Sequence, residues 1–159
     1  MSIRVGLGFD THQFEQGRDL ILGGVKIEHH KGLKGHSDAD VLCHAITDAL
    51  LGALALGDIG THFPDDDPAY KNADSIEMLK KVTSLIKKEG YSIVNIDSVV
   101  IAEKPKLMPY IGRIQVKIAD SLGLNHDQVS VKATTSEKMG YIGREEGINS
   151  QAIVLIQKI

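Results

Sequence analysis

Tryptophan is absent from this 159-residue chain, and aromatic residues make up only 4% of it. Its core therefore has to be aliphatic. A single cysteine, Cys43, excludes an internal disulfide framework and suits a reducing compartment, the cytoplasm by default. No basic excess is present: 18 Lys and Arg stand against 21 Asp and Glu, for a net charge of −3. That excludes the clustered positive footprint of a nucleic-acid binder. No apolar run approaches the roughly 18 residues of a membrane span. The opening residues MSIRVGLGFD lack the apolar stretch of a secretion signal. Low-complexity linkers and internal repeats are missing too, so one domain over residues 1–159 is the expectation at this length. What the chain does have is a biased histidine distribution. Six of seven lie at or before His62, and only His126 lies beyond.

Ile3, Val5, Leu7 and Phe9 alternate with Arg4, Gly6 and Gly8, a period-2 strand in which the glycines imply close approach of another backbone or a ligand. Leu20–Leu22 and Val25–Ile27 flank Gly23-Gly24, a two-residue hairpin signal. Ser37, with Asp40 three residues on, predicts a helix start, and Val41, Ala45, Ile46, Ala49, Leu50 and Ala53 recur at helical spacing toward a stop at Gly57. Residues 58–72 read as loop. A second helix is expected from Ser75 to Glu89, with Asp74 as N-cap, Glu77 as its N3 partner and Gly90 as stop. A third is expected from Pro109 to Leu122, ended by Gly123. Strands are expected at 91–102, 129–133 and 148–156. This order predicts an α+β two-layer sandwich: a mixed sheet of about four strands with helices on one face, plus a β-hairpin.

Several groupings carry chemistry. Asp10 and His12 share a face if the strand stays extended to that point, offering a carboxylate and an imidazole. Asp40, His44 and Asp48 fall at i, i+4, i+8 on one side of a helix. His44 is a third candidate ligand, with Asp40 or Asp48 orienting it. Asp10, His12 and His44 together make a three-donor set with an open position, the pattern of a catalytic zinc site. Cys43 points about a quarter-turn away and reads as a packed thiol. Gly35-His36-Ser37 precedes the helix, where amides and hydroxyls attract phosphate. The run 132–138, KATTSEK, sets three hydroxyls, a carboxylate and two lysines after a strand, suited to a diphosphate and a magnesium-type ion. The run 102–109, AEKPKLMP, holds its backbone in a nearly fixed shape, as recognition of a flat base requires. From the residues alone, a metal-dependent phosphoester hydrolase and a non-enzymatic binding protein with a structural metal both stand beside a phosphoryl-transfer enzyme.

The runs Gly8–His12, Gly35–Leu50, Gly57–Gly60, Phe63–Asp67 and Lys132–Lys138, in that order, resemble the 2-C-methyl-D-erythritol 2,4-cyclodiphosphate synthase family over essentially the whole chain. The resemblance implies a homotrimer whose active sites lie between neighbouring subunits, with the sheet facing the trimer axis. It implies a lyase that takes 4-diphosphocytidyl-2-C-methyl-D-erythritol 2-phosphate and releases CMP. Zinc is implied at Asp10, His12 and His44, and a second divalent ion, Mg or Mn, at Glu137 with the substrate diphosphate. His36 and Thr135 match catalytic positions that steady the transition state. Substrate-binding positions match Asp10, His12, His36, Ser37, Asp58, Ile59, Gly60, Phe63, Pro64, Asp65, Asp66 and Asp67 on one side. On the other they match Ala102, Glu103, Lys104, Pro105, Lys106, Leu107 and Met108 around the cytidine, with Thr134, Thr135, Ser136, Glu137, Tyr141 and Arg144. Ser136 replaces a common Thr and Tyr141 a frequent Phe. The acidic run Asp65-Asp66-Asp67 is expected to face sugar hydroxyls or solvent. The setting implied is the bacterial cytoplasm, or a plastid-type organelle if a leader has been removed.

Overall fold

The computed structural model describes residues 2–159. In chain order the elements are β1 (Ile3–Glu15), β2 (Leu20–Leu22), β3 (Val25–Ile27), β4 (Gly32–Leu33), α1 (Val41–Ala53), α2 (Ile59–His62), α3 (Ser75–Lys88), β5 (Tyr91–Ile101), α4 (Met108–Leu122), β6 (Val129–Thr134), α5 (Gly140–Gly143) and β7 (Gly147–Lys158). Short 3-10 turns stand at Pro68–Tyr70 and His126–Gln128.

The sheet has five strands in the order β4-β1-β7-β5-β6, where the sequence pattern suggested about four, and β2-β3 form a separate hairpin. The additional strand arises because β1 runs on to Glu15. Its end pairs with Gly32 and Leu33, a segment too short to show any alternation. β1 and β5 lie antiparallel to β7, and β6 lies parallel to β5. The parallel step follows from the intervening helix α4, which carries the chain back across the sheet.

The helices cover one face. Gly6 and Gly8 explain how closely they sit: a β-carbon on either would come within 1.8 Å of the carbonyl oxygen of Ala49 or Ala45. The backbone foreseen near these glycines is thus that of α1, packed directly on β1. Behind it lies an aliphatic core with Leu42, Ile46, Leu50, Leu79, Ile114 and Val154 fully buried. The opposite face of the sheet leaves Ile3, Val5, Leu7, Phe9 and Ile153 exposed. Among the described residues, no helix is long and apolar enough to cross a membrane.

Several element boundaries differ from the sequence pattern, most of them by a residue or two and those around α1 by more. Helix α1 starts at Val41, not Ser37, and its N-cap is Asp40, whose side chain accepts from Cys43 N. The residues between are irregular, with Ala39 at φ 58°. Asp40 is fully buried, and its carboxylate also accepts from Gly23 N (2.9 Å) and Gly24 N (2.7 Å), tying the hairpin turn to the helix. Burial, with Asp38 nearby, pushes its carboxyl pKa up, while the three amide bonds work the other way. Helix α1 ends at Ala53 and is capped at Leu54, before Gly57, as the chain turns through Ala55 at positive φ. Residues 58–72 are not all loop: Asp58 caps α2 and Asp67 caps the following 3-10 turn. Helix α3 keeps Asp74 as its cap, but Glu77 pairs with Lys80 (2.6 Å). Helix α4 ends as expected, at Gly123 in the left-handed region.

Candidate active site

Strand β1 stays extended past Phe9, so the face carrying Gly6 and Gly8 also carries Asp10 and His12. Helix α1 lies across that face and delivers His44, the residue just before Ala45, whose carbonyl meets Gly8. The three side chains converge: Asp10 Oδ2 lies 3.0 Å from His12 Nδ1 and 3.1 Å from His44 Nδ1. One ligand atom from each residue falls within 4.8 Å of the others. Burial alone would push the Asp10 carboxyl pKa up. Hydrogen bonds and charge from His12 and His44 outweigh it and hold it well below the ordinary carboxylate range. For His44, burial disfavours the charged ring, but the Asp10 hydrogen bond and charge, with Asp40 and Asp38 behind, raise its pKa above the ordinary imidazole value.

His12 Nδ1 is buried, and the Asp10 carboxylate 3.0 Å away is its one close polar neighbour among the described residues, set too far off line for a well-formed hydrogen bond. A buried ring nitrogen so incompletely satisfied is costly in a purely structural role. As one of three converging donors, a carboxylate and two imidazoles, it fits a divalent ion of the zinc type with a further position left for substrate.

The set sits in a cleft of about 170 Å³ lined also by Gly35, His36, Ser37, Ile59, Gly60, Phe63 and Asp65. His36 Nε2 is tethered to the Asp67 carbonyl (3.1 Å). The carboxylates of Asp58 and Asp67 are engaged locally, capping Thr61 and Ala69 amides. Asp66 is exposed and Pro64 half-buried; neither lines the cleft. A second cleft of about 870 Å³ gathers Ala102, Glu103, Pro105, Lys106, Leu107 and Met108 with Thr134 and Thr135. Lys104 turns away to pair with Glu145 (3.2 Å). Glu103 accepts from the amides of Ser136 and Lys138, fixing the turn that carries Glu137. Glu137 itself is exposed. Tyr141 reaches Thr11 Oγ1 (3.5 Å), and Arg144 pairs with Glu146 (2.8 Å). The two clefts share no lining residue, so one protomer does not bring all the expected positions together.

The orienting partner expected for His44 is not the one found. Asp40 is committed to the helix cap, and Asp48 accepts from Ile59 N (3.1 Å). His44 Nε2 instead meets Ser75 Oγ (2.9 Å) and Ser37 Oγ (3.2 Å). Ser75 in turn is bonded to Asp38. Two further residues escaped sequence reading. Arg18 clamps the carbonyls of Gly35 and Ser37, each at 2.6 Å. Asn149 donates to Asp10 O (3.0 Å) and Thr11 Oγ1 (2.7 Å), holding the ligand-bearing strand end. Nothing local marks either; only the fold brings them in. Cys43 is a packed thiol as expected, and burial pushes its pKa well up.

An Asp–His–His donor set on a two-layer α+β scaffold, opening into a polar cleft, defines an enzyme of the divalent-metal class. More narrowly, the chain belongs to the YgbB family, whose model matches residues 3–157. It is 62% identical over 151 residues to the 2-C-methyl-D-erythritol 2,4-cyclodiphosphate synthase of Agathobacter rectalis, covering 95% of this chain and 85% of that one. The fold matches the bifunctional IspDF from Campylobacter jejuni with a TM-score of 0.96 at 46% identity. That match covers 99% of this chain but only 43% of the longer protein. It also matches the CDP complex of IspF from Plasmodium falciparum, with a TM-score of 0.86 at 38% identity over 99% of this chain and 97% of that one.

Proposed function

We propose that the chain converts 4-diphosphocytidyl-2-C-methyl-D-erythritol 2-phosphate to 2-C-methyl-D-erythritol 2,4-cyclodiphosphate with release of CMP. This is a lyase step in the non-mevalonate route to isoprenoid precursors. The observation that carries it is the convergence of Asp10, His12 and His44, in a chain 62% identical to a curated synthase.

An oxygen of the 2-phosphate bonds to the β-phosphorus while the bond from that phosphorus to the α-phosphate oxygen breaks, and CMP takes the electron pair. The nucleophile is already ionised at neutral pH, so no general base is required. Two anionic phosphates repel each other, and divalent ions offset that repulsion and polarise the electrophilic phosphorus. Asp10, His12 and His44 would hold zinc, and Glu137 a magnesium or manganese ion at the diphosphate. The Ser37 hydroxyl stands at the cleft wall to donate to a phosphate oxygen, and the His36 ring, held through Nε2 by the Asp67 carbonyl, lies beside it against the transferring phosphate. Thr135 supplies a further donor, with Thr134 and Ser136 beside it. Asp58 to Gly60 and Phe63 to Asp67 enclose the methylerythritol. Ala102 to Met108 cradle the cytosine with main-chain groups, and Tyr141 and Arg144 contact substrate near the mouth. The CDP complex of the Plasmodium relative supports a CDP-linked ligand.

The working form in this reading is a homotrimer in a cytoplasmic setting. Two observations support the assembly. The substrate positions fall in two separate clefts of one protomer, as expected if a neighbour completes each site. The sheet face opposite the helices leaves Ile3, Val5, Leu7, Phe9 and Ile153 exposed together, a contiguous apolar patch of the kind that marks an association surface.

The test is incubation with the CDP-linked substrate, with and without a zinc chelator, followed by phosphorus NMR. A cyclic diphosphate and CMP in equal amounts, abolished by chelation, is the expected result. An open phosphate product would replace this reading with a hydrolase, and no product from zinc-loaded protein would replace it with a binding protein.

A further inference from the structure

The loop between β4 and α1 carries His36 and Ser37 to the cleft wall, and its main chain is held from behind. Arg18 stands in the turn between β1 and β2, outside the cleft lining, with its side chain only 25% exposed. Its backbone is pinned: a β-carbon on Gly32 would come within 2.3 Å of Asp19 O and 2.6 Å of Arg18 O. The guanidinium donates through Nη1 to Gly35 O and through Nη2 to Ser37 O, each at 2.6 Å. Its carboxylate neighbour, Glu15, is 4.0 Å off, so the rigid fork is spent on these two carbonyls. The carbonyl between them, His36 O, accepts from Asn72 N (2.8 Å). The amides of Gly35, His36 and Ser37, by contrast, have no main-chain acceptor among the described residues.

The Gly35–His36 peptide is trans, and a trans peptide points its N–H opposite to its C=O. With Gly35 O drawn onto the guanidinium, the His36 N–H points away from Arg18, and the flank of the loop that Arg18 leaves uncovered is the one lining the cleft. Two carbonyls that would repel a phosphate are turned to the arginine instead. A cation on the carbonyl also polarises that peptide and makes its N–H a stronger donor. We infer that Arg18 is a positioning residue for phosphate binding: it fixes the 35–37 loop with acceptors outward and the His36 amide inward, where that amide joins the Ser37 hydroxyl in holding a substrate phosphate. The inference rests on the phosphate-bearing substrate proposed above. Arg18 needs to touch neither metal nor substrate; it acts through the loop.

The first measurement is a proton–nitrogen correlation spectrum of the zinc-loaded, nitrogen-15-labelled full chain during titration with inorganic phosphate. The His36 amide proton is expected to move downfield in the parent and to stay in place in Arg18→Ala. The second is kinetics beside binding. In Arg18→Ala the KM for the CDP-linked substrate is expected to rise about 10- to 100-fold, the loss of one charge-assisted hydrogen bond, with a smaller change in kcat. CMP, whose base occupies the other cleft, is expected to bind within about twofold of the parent; a general loosening of the fold would weaken both ligands. Arg18→Lys keeps the charge but can hold only one carbonyl at a time, and is expected to recover part of the KM. A titration that leaves the parent's His36 amide unmoved, or moves it equally in Arg18→Ala, overturns the inference. So does a KM for Arg18→Ala within about twofold of the parent, or an equal loss of CMP affinity. If Arg18→Ala fails to fold, Arg18→Lys and the parent spectrum decide. Should the parent form no cyclic product, the function proposed above falls, while the phosphate titration still decides the role of Arg18.

Discussion

At the scale of single residues, the donor set and its partners separate cleanly in what they should do. His44→Ala is expected to remove zinc and lower turnover by at least about 100-fold while leaving a folded protein; metal content by atomic absorption and circular dichroism check both halves. Glu137→Gln is expected to leave zinc in place and raise the magnesium or manganese concentration needed for half-maximal rate, read from a divalent-ion titration. The cluster also gives a pH signature. Asp10, its pKa depressed in the fold, contributes stability above the ordinary value of 3.8 that is lost as pH falls through its folded value. His44, its pKa raised, contributes stability below 6.5 that is lost as pH rises through its folded value. In metal-stripped protein the contribution should therefore peak between those two ordinary values and fall on both sides. Zinc should abolish the alkaline fall, since the ion takes the deprotonated imidazole. Thermal melts across pH, with and without zinc, measure this. The donor set was legible in the sequence because strand period puts Asp10 and His12 on one face and helix period puts His44 on a polar stripe, while their assignment as one zinc site came with the family resemblance. Ser75, Arg18 and Asn149 were not. Their bonds to the site span between 17 and 139 residues of chain, and no local pattern encodes such a distance.

Among the elements, helix α1 depends on one buried carboxylate. Asp40→Ala would strand the amides of Gly23, Gly24 and Cys43 together, at a cost of about 3 kcal/mol or more, measurable as a shift of the urea midpoint. Sequence patterning misplaced the start of this helix because Ser37 followed by Asp40 imitates a capping box. In the structure the Ser37 side chain turns instead toward His44, and Asp40 is the cap. Competition from a tertiary contact moved the boundary. Helices α3 and α4 had no such competitor: Asp74 caps α3 and Gly123 stops α4, where local chemistry put them.

For the molecule as a whole, the apolar sheet face is the surface that the proposed trimer would cover. Val5 and Leu7 are 64% and 65% exposed, large values for residues alternating so strictly with buried glycines. Leu7→Glu is expected to shift the sedimentation coefficient from trimer to monomer and to remove most of the cyclising activity, because each site would lose its neighbour's cleft. A monodisperse monomer of the unaltered chain with full activity would discard the trimer. The sheet's five-strand order was only partly legible. Strand β4 is two residues long, and such a segment acquires its identity from the strand it meets.

The direct backbone contact between β1 and α1 has a kinetic consequence. Asp10 and His12 ride on one element and His44 on the other, and at Gly6 and Gly8 no side chain stands between them that could switch rotamer and let them part. The spacing of the donors is set by main-chain contact, a rigid gauge, so a bound ion would not leave by a parting of strand from helix. Exchange with solution metal is expected to proceed by one side chain swinging away at a time. His12, less enclosed than His44, is the ring whose rotation would set the off-rate.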